Sequence, residues 1–558
     1  MPTQLVRRRD ILARAHPVVE RILKGDVPPQ PLSPDYGLEA LIPPDDLKGL
    51  PAAVDHLKFA LGSQSRILIV GDYDADGATS VALMVEGLRL LGAEQVDYLI
   101  PDRFNMGYGL SPRLAELALT REPDLVITVD QGIVSFDGVK LVKRAGKSII
   151  VTDHHLPGDV LPEADAIVNP NQAGCAFQSK CLAGVGVAFY VLIGLRAALR
   201  STGSGLGQVN LAQLLDLVAL GTIADLVPLD ENNRRLVQSG IERIRKGLSR
   251  PGLLALLDVA GLDPSVVTST QLAFNVAPRL NAAGRLEDMS EGVACLLADA
   301  DVAPRLAQKL DDLNRTRRDI EQVMQIEAQA GLDQLPLNQL QSMQGISVFE
   351  EAWHEGVVGI LAARLRSRYN RPVFAFAKTQ EGLIKGSGRS VEGLHLRDLL
   401  AEIDADRQGL LLSFGGHAMA AGVTLREQDF ETFCACFDEF AAIAMKGRPN
   451  EETLLSEGMV PRLDLKFAIE LVRNHPWGQG FSAPVFDERF EILTQRRLKG
   501  GHLKLQLYSV RFAQAVDAIY FGQDREIEAA DAQFAYRLDV NRFRGVDRMQ
   551  LQVLEVWL

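Results

Sequence analysis

From residue 66 onward the chain alternates short apolar runs with longer stretches of helical periodicity. The run 66–70 (RILIV) is almost wholly apolar, the pattern of a parallel strand covered on both faces. A polar loop follows, and then 79–91, where apolar residues recur at helical spacing up to Gly92. Comparable apolar runs at 98–100, 125–129 and 148–152 are separated by helix-like stretches. Alternating strands and helices predict a doubly wound α/β domain built on a parallel sheet. The glycine-rich 201–207 reads as a loop ahead of a helix at 211–220.

The segment 300–330 carries Leu306, Leu310, Leu313, Ile320, Val323 and Met324 on one side, with Asp299 or Asp301 placed to cap its start. It fits an amphipathic helix packed on one domain or a long helix bridging two lobes. Strand-like runs at 345–349 and 372–377, with a helix at 356–369 between them, predict a second, smaller α/β lobe reaching to about residue 445. The stretch 447–452 (GRPNEE) reads as a linker. Alternating segments at 502–508, 515–521 and 550–556 predict a small β-barrel or sandwich. The expected division is 1–290, a connecting helix over 291–335, a second lobe over 336–445 and a β domain over 446–558.

A length of 558 residues suggests three or four domains at roughly 150 residues each. Hydrophobic residues make up 47% and charged residues 23%, which excludes disordered and low-complexity architectures. No membrane span is expected, because the apolar stretches 187–199 and 211–224 are broken by Arg196 and Asp216. Arg7, Arg8 and Arg9 are followed by Asp10 rather than a continuous apolar stretch, so no signal peptide is expected. The five cysteines form no CxxC pair, and a reducing cytoplasm fits them best. The net charge of −13 argues, on a first reading, against a nucleic-acid partner.

Where the acidic residues stand changes that reading. The run 66–70 leads into Gly71-Asp72-Tyr73-Asp74-Ala75-Asp76-Gly77, 125–129 ends at Asp130, and 148–152 ends at Asp153-His154-His155. In an open α/β sheet ligands sit outside the carboxyl ends of the strands, so these groups are expected in one crevice. Carboxylates and imidazoles crowded together call for a cation, and this mixture suits Mn²⁺ or Mg²⁺. Asp225, an acid in the otherwise apolar GTIADL, is a further candidate ligand.

These motifs resemble the ordered set of the DHH phosphoesterase superfamily. The strings GDYDADGATS, PDRFNMGYG, VTDHHLPG, GTIADLVPL and PRLNAAGR are similar to those of the RecJ single-strand-specific exonucleases. WHEGVVGILAARL, GSGRS and LLSFGGHAMAAG resemble the DHHA1-type domain. The resemblance implies a two-lobed α/β fold: a doubly wound DHH domain, a long helix, a smaller DHHA1 domain and a C-terminal OB-fold barrel. It implies two Mn²⁺ or Mg²⁺ ions held by Asp74, Asp76, Asp130, His154 and Asp225, with Asp130 the bridge. His155 would face the scissile phosphate, and Asp72 and Asp153 would orient the ligands or the attacking water. Ser387, Gly388 and Arg389 would offer N–H groups, a hydroxyl and a guanidinium to a terminal phosphate, with Arg103 and Arg279 closing on it. His417, after Gly415-Gly416, and His354 are further substrate contacts, whereas His395 reads as structural. The implied activity is metal-dependent 5′→3′ removal of mononucleotides from single-stranded DNA, in recombination and repair. A helicase and a single-strand-binding protein are partners to expect, and a chain with its own two-lobed cleft suits a monomer.

A single strand needs a basic, aromatic-dotted track rather than a basic protein. Basic clusters stand at 243–246, 315–318, 364–371 and 496–499, the last near His502, Lys504 and Tyr508, while Phe104 and Tyr108 flank Arg103. Each also fits a solvated or packed surface. Two other functions compete: a phosphodiesterase of short oligonucleotides or cyclic dinucleotides, and a catalytically dead DNA-binding scaffold. The chain length and β domain disfavour the first, and the complete ligand set disfavours the second.

Overall fold

The computed structural model describes residues 3–7, 36–379, 382–446, 452–523 and 525–558. Apart from Glu452, the predicted linker lies outside the described residues, as do Arg8, Arg9 and Asp10. The chain divides into two compact units, one of Asp312–Glu452 and one combining Pro2–Asp311 with Thr453–Leu558.

In the larger unit, β1 (Ile67–Val70), β2 (Val96–Leu99), β3 (Leu125–Val129), β4 (Ser148–Thr152) and β5 (Ala166–Val168) form a wholly parallel sheet. Their spatial order is β2-β1-β3-β4-β5. The order reverses between β1 and β3, and a crevice opens at their carboxyl ends. Every residue of β1 and β3 is buried, which explains the unbroken apolar runs. Helices α1 (Ala75–Leu90), α2 (Gly184–Ser201) and α3 (Leu215–Ala224) pack together beside the sheet. The predicted helix at 211–220 is in fact a 3₁₀ turn, Leu211–Leu214, followed by α3.

Among the described residues α2 alone is long and apolar enough to cross a membrane, contrary to expectation. Its residues from Gly184 to Leu192 are buried continuously in the domain core. The acid that interrupts the apolar α3, Asp216, is fully buried and matched by Arg250 at 2.9 Å.

The expected connecting helix over 291–335 is two helices. Ser290–Leu297 stops where Ala298 turns extended (φ −70°, ψ 145°). A second helix starts at Ala303, with Pro304 in its first turn where the missing N–H costs nothing. Before them stands α4 (Ala277–Leu286), so the long helix is α5 (Ala303–Asp333). The boundary between the two units falls inside α5.

The smaller unit contains a mixed sheet of β6 (Ile346–Phe349), β7 (Val373–Lys378), β8 (Leu383–Arg389), β9 (Ser413–Gly416) and β10 (Ala420–Arg426), ordered β9-β10-β8-β7-β6. Phe374, Phe376, Phe433 and Phe437 centre its core. In the larger unit, β11 (Phe486–Leu498), β12 (His502–Ser509), β13 (Gln514–Tyr520), β14 (Asp531–Phe543) and β15 (Val546–Trp557) close into the expected barrel, ordered β11-β12-β13-β15-β14. Phe486, Phe490, Phe534 and Tyr536 fill it.

Candidate metal centre

The crevice between β1 and β3 gathers the acidic strand ends. Asp74 caps α1, its Oδ1 accepting the N–H groups of Asp76 (2.9 Å) and Gly77 (3.0 Å). Asp76 is gripped from elsewhere in the sequence: Gly184 N–H donates to its Oδ2 at 2.6 Å and Val185 N–H to its Oδ1 at 3.0 Å. The N-terminus of α2 thus faces a carboxylate, which its dipole favours. Asp130 leaves β3 with φ +60°, a left-handed conformation costing about 1–3 kcal/mol outside glycine. Asp225 closes α3, and Leu226 beyond it is left-handed too, at φ +59°.

Three overlapping sets result: Asp72–Asp74–Asp130, Asp76–His154–Asp225 and Asp130–His154–His155, the ligand atoms of each set lying within 4.8 Å of one another. His154 Nε2 lies 3.1 Å from Asp130 Oδ1 and 3.4 Å from Asp225 Oδ2. Burial first, and neighbouring carboxylates second, push Asp72 up to about 8 and Asp76 up to about 7. The same causes hold Asp130 and Asp225 well above the usual carboxylate range. Asp72 Oδ1, Asp130 Oδ1 and Asp225 Oδ2 are buried and accept no hydrogen bond among the described residues. Buried, mutually repelling oxygens with that geometry fit divalent cations, and carboxylate with imidazole fits Mn²⁺ or Mg²⁺.

Asp153 is occupied differently. Its Oδ1 accepts the N–H groups of His154 (2.7 Å) and His155 (3.0 Å), and its Oδ2 accepts that of Ile133 (2.9 Å). His155 Nδ1 lies 2.8 Å from Asp153 Oδ1. Burial opposes a charge on His155, but Asp153 outweighs it and holds the imidazole above its ordinary value. Asp72, given a supporting part by its sequence position, has ligand reach in the structure.

The remaining predicted residues separate. Arg103 stacks over Tyr73 at 4.9 Å, and the hydroxyl of the exposed Tyr108 lies 3.2 Å from His155 Nδ1. Arg279 is paired with the buried Asp311 at 2.8 Å and donates to Asn275 O, a buried carboxylate demanding a partner. Ser387-Gly388-Arg389 is no open phosphate turn. It belongs to β8, whose N–H groups serve the ladders with β7 and β10. A Cβ on Gly388 would lie 2.4 Å from the Phe374 ring, so this glycine admits an aromatic core rather than a ligand. Ser387 and Arg389 share the other face, with Arg389 Nη1 3.3 Å from Ser387 Oγ.

His354 Nδ1 accepts the Gly356 N–H at 3.1 Å, and burial pulls the ring below its ordinary value. His417 stands exposed on the β9–β10 turn. Of the basic clusters, 243–246 is structural: Arg245 donates to Val267 O (2.9 Å) and Arg473 O (2.8 Å).

Two further supports come from outside the acidic strand ends. Asn281 Oδ1 accepts the Ala75 N–H at 2.9 Å, fixing the acidic loop from α4. Gly184 touches both Asp76 and Asp130, and a Cβ there would fall 2.5 Å from Asp130 Cβ. Gly184→Ala is therefore expected to weaken Mn²⁺ binding about 10–100-fold, as losing a second layer of support does, with the far-ultraviolet dichroism retained. Calorimetric titration with Mn²⁺ checks it.

An acidic, imidazole-bearing crevice at the switch point of a parallel sheet defines a metal-dependent phosphoesterase of the DHH class. Residues 66–222 match the DHH family, N-terminal domain, 342–442 the DHHA1 domain and 457–555 the RecJ OB domain. The single-stranded-DNA-specific exonuclease RecJ of Dickeya dadantii is 48% identical over 522 residues, covering 92% of this chain and 91% of that protein. Crystal structures of RecJ from Thermus thermophilus match at 29% identity with Mn²⁺ (TM-score 0.78) and 28% with Mg²⁺ (TM-score 0.72). Both cover 100% of this chain, and 79% and 78% of the matched chains. The chain belongs to the RecJ family.

Proposed function

We propose that the chain is a metal-dependent exonuclease of single-stranded DNA that works from the 5′ end and releases 5′-mononucleotides. The observation that carries this reading is the set of overlapping ligand groups around Asp130 and His154 at the switch point, in a chain 48% identical to a RecJ exonuclease. Asp74, Asp76, Asp130, His154 and Asp225 are the residues that would hold two cations, with Asp130 common to two of the three ligand sets and Asp72 a further carboxylate that could join one of them. The cations, Mn²⁺ or Mg²⁺, supply Lewis-acid charge at the phosphate and a more acidic water. The protein supplies the rest. Asp153 fixes the backbone of both histidines, and His155, biased towards its charged form, sets a cation beside the scissile phosphate. Arg389 with Ser387 is the proposed terminal-phosphate pair that gives 5′→3′ polarity, and Arg103, Arg279, His354 and His417 are proposed as further DNA contacts.

The test uses 5′- and 3′-labelled single strands, duplexes and dinucleotides with Mn²⁺, Mg²⁺ or EDTA. Metal-dependent release of labelled mononucleotide from the 5′-labelled single strand is expected. Cleavage of dinucleotides alone favours the small-substrate phosphodiesterase, and binding without cleavage favours the scaffold. A monomer acting in the cytoplasm beside a helicase and a single-strand-binding protein accords with five free cysteines and with the family's DNA substrate.

A further inference from the structure

A groove of about 1100 Å³ lies within the larger unit, between the parallel-sheet domain and the barrel. Its lining includes Leu226, the residue after Asp225, Phe274 of the parallel-sheet domain, and the barrel residues Phe521 and Arg537. Its apolar groups face solvent: Phe274 is 76% exposed, Leu226 64% and Phe521 51%.

Phe274 is displayed by an identifiable backbone device. It lies in a π-helical turn, Leu272–Val276, that opens directly into α4. Pro278 lacks an N–H, and its ring conflicts with the carbonyl four residues earlier, which is that of Phe274. The widened turn absorbs the conflict, as such turns do at functional sites. The same continuous segment carries Asn281, which holds the acidic loop through Ala75.

Charge in the groove is selective. Lys504 is paired with Asp517, Arg473 with Asp547, and Arg542 with Asp263. Half-buried Arg537, on β14, makes no ion pair among the described residues; burial pulls it below its ordinary value with no carboxylate to offset the shift. A guanidinium without a carboxylate, in a groove also lined by the exposed Phe274 and Phe521, matches the alternating phosphates and base faces of a single strand. A duplex keeps its base faces stacked and offers none to Phe274.

We propose that Phe274 stacks on a nucleobase and Arg537 holds a backbone phosphate of the strand on the 3′ side of the cleaved bond. Both are positioning residues that set the affinity for long substrates. This rests on the exonuclease reading above. Steady-state kinetics on a long single strand and on a dinucleotide give the first test. Phe274→Ala is expected to raise KM for the long strand about tenfold with kcat kept, lowering the long-to-short ratio of kcat/KM by the same factor. Phe274→Trp is expected to restore it, which no general loss of folding would allow. Arg537→Gln is expected to flatten the salt dependence of single-strand binding by about 0.7 in log–log slope.

Strands carrying 2-aminopurine at successive positions, bound in EDTA, give the second test. Quenching at one position is expected for the parent and the Trp variant and absent in the Ala variant. An unchanged long-strand KM and unchanged quenching in Phe274→Ala overturn the proposal and leave the groove to a protein partner. A parent enzyme that fails to cut single strands overturns the exonuclease reading instead.

Discussion

Asp130→Asn is expected to lower kcat/KM at least about a thousandfold while leaving the protein folded. Asp130 contributes to two of the three ligand sets, so one amide removes charge from both neighbourhoods at once. The loss falls on interactions with the cations rather than on packing, because asparagine matches aspartate in size and tolerates φ +60°. Stability should move the other way. The Asp130 carboxyl is buried beside Asp76, Asp74 and Asp225, each of which raises it, so a neutral side chain relieves repulsion in the metal-free protein. Asp130→Asn is thus expected to melt at or above the parent temperature in EDTA. Asp130→Ala should be equally inactive but about 1 kcal/mol less stable than the asparagine variant, since alanine pays for the left-handed backbone. Initial rates with Mn²⁺ and melting curves in EDTA check both statements. Near-normal turnover by either variant removes Asp130 from the ligand set.

The parts of this centre that were legible in the sequence are those whose cause is local. β1, β3 and β4 announce themselves because strands covered on both faces are continuous apolar runs, and their acidic ends follow within a few residues. The converging ligands follow from one topological rule. The grip of Gly184 and Val185 on Asp76 spans 108 and 109 residues, and nothing in LAGVGVA marks two N–H groups aimed at a carboxylate. β8 failed for a different reason. Its buried positions include Gly386 and Gly388, small because Phe376 and Phe374 lie over them, so the alternation that identifies a strand is written in glycine rather than in apolar side chains. KGSGR therefore reads as a turn where the structure has a strand. The pairing of Arg279 with Asp311 was equally hidden, because Asp311 sits on another helix and no spacing links the two.

Mn²⁺ should stabilise the protein more at pH 8 than at pH 6. Asp72 and Asp76 stand at about 8 and about 7 in the folded, metal-free chain, against about 3.9 for an unfolded aspartate. Burial is the leading cause in both. The folded state therefore keeps protons that the unfolded chain has already released. A raised carboxyl contributes stability that is full below its unfolded value and is lost as the pH rises through its folded value. For these two groups the loss begins near the unfolded value of about 3.9 and is complete once the pH passes about 7 to 8, where the empty centre becomes a cluster of repelling anions. A divalent cation reverses this by binding the deprotonated form: it displaces protons at pH 6 and finds most ligands ready at pH 8. At a concentration a thousand times the dissociation constant the stabilisation reaches about 4 kcal/mol, and competition with protons reduces it at the lower pH. Thermal melts with and without Mn²⁺ at the two pH values measure the difference. Calorimetry at pH 7 in buffers of different ionisation enthalpy should register proton release on binding. Equal Mn²⁺ shifts at pH 6 and 8, with no proton release, would mean that these carboxylates do not face the cation. In Asp130→Asn, where the metal site has lost its shared ligand, the pH-dependent part of the shift should collapse together with the activity.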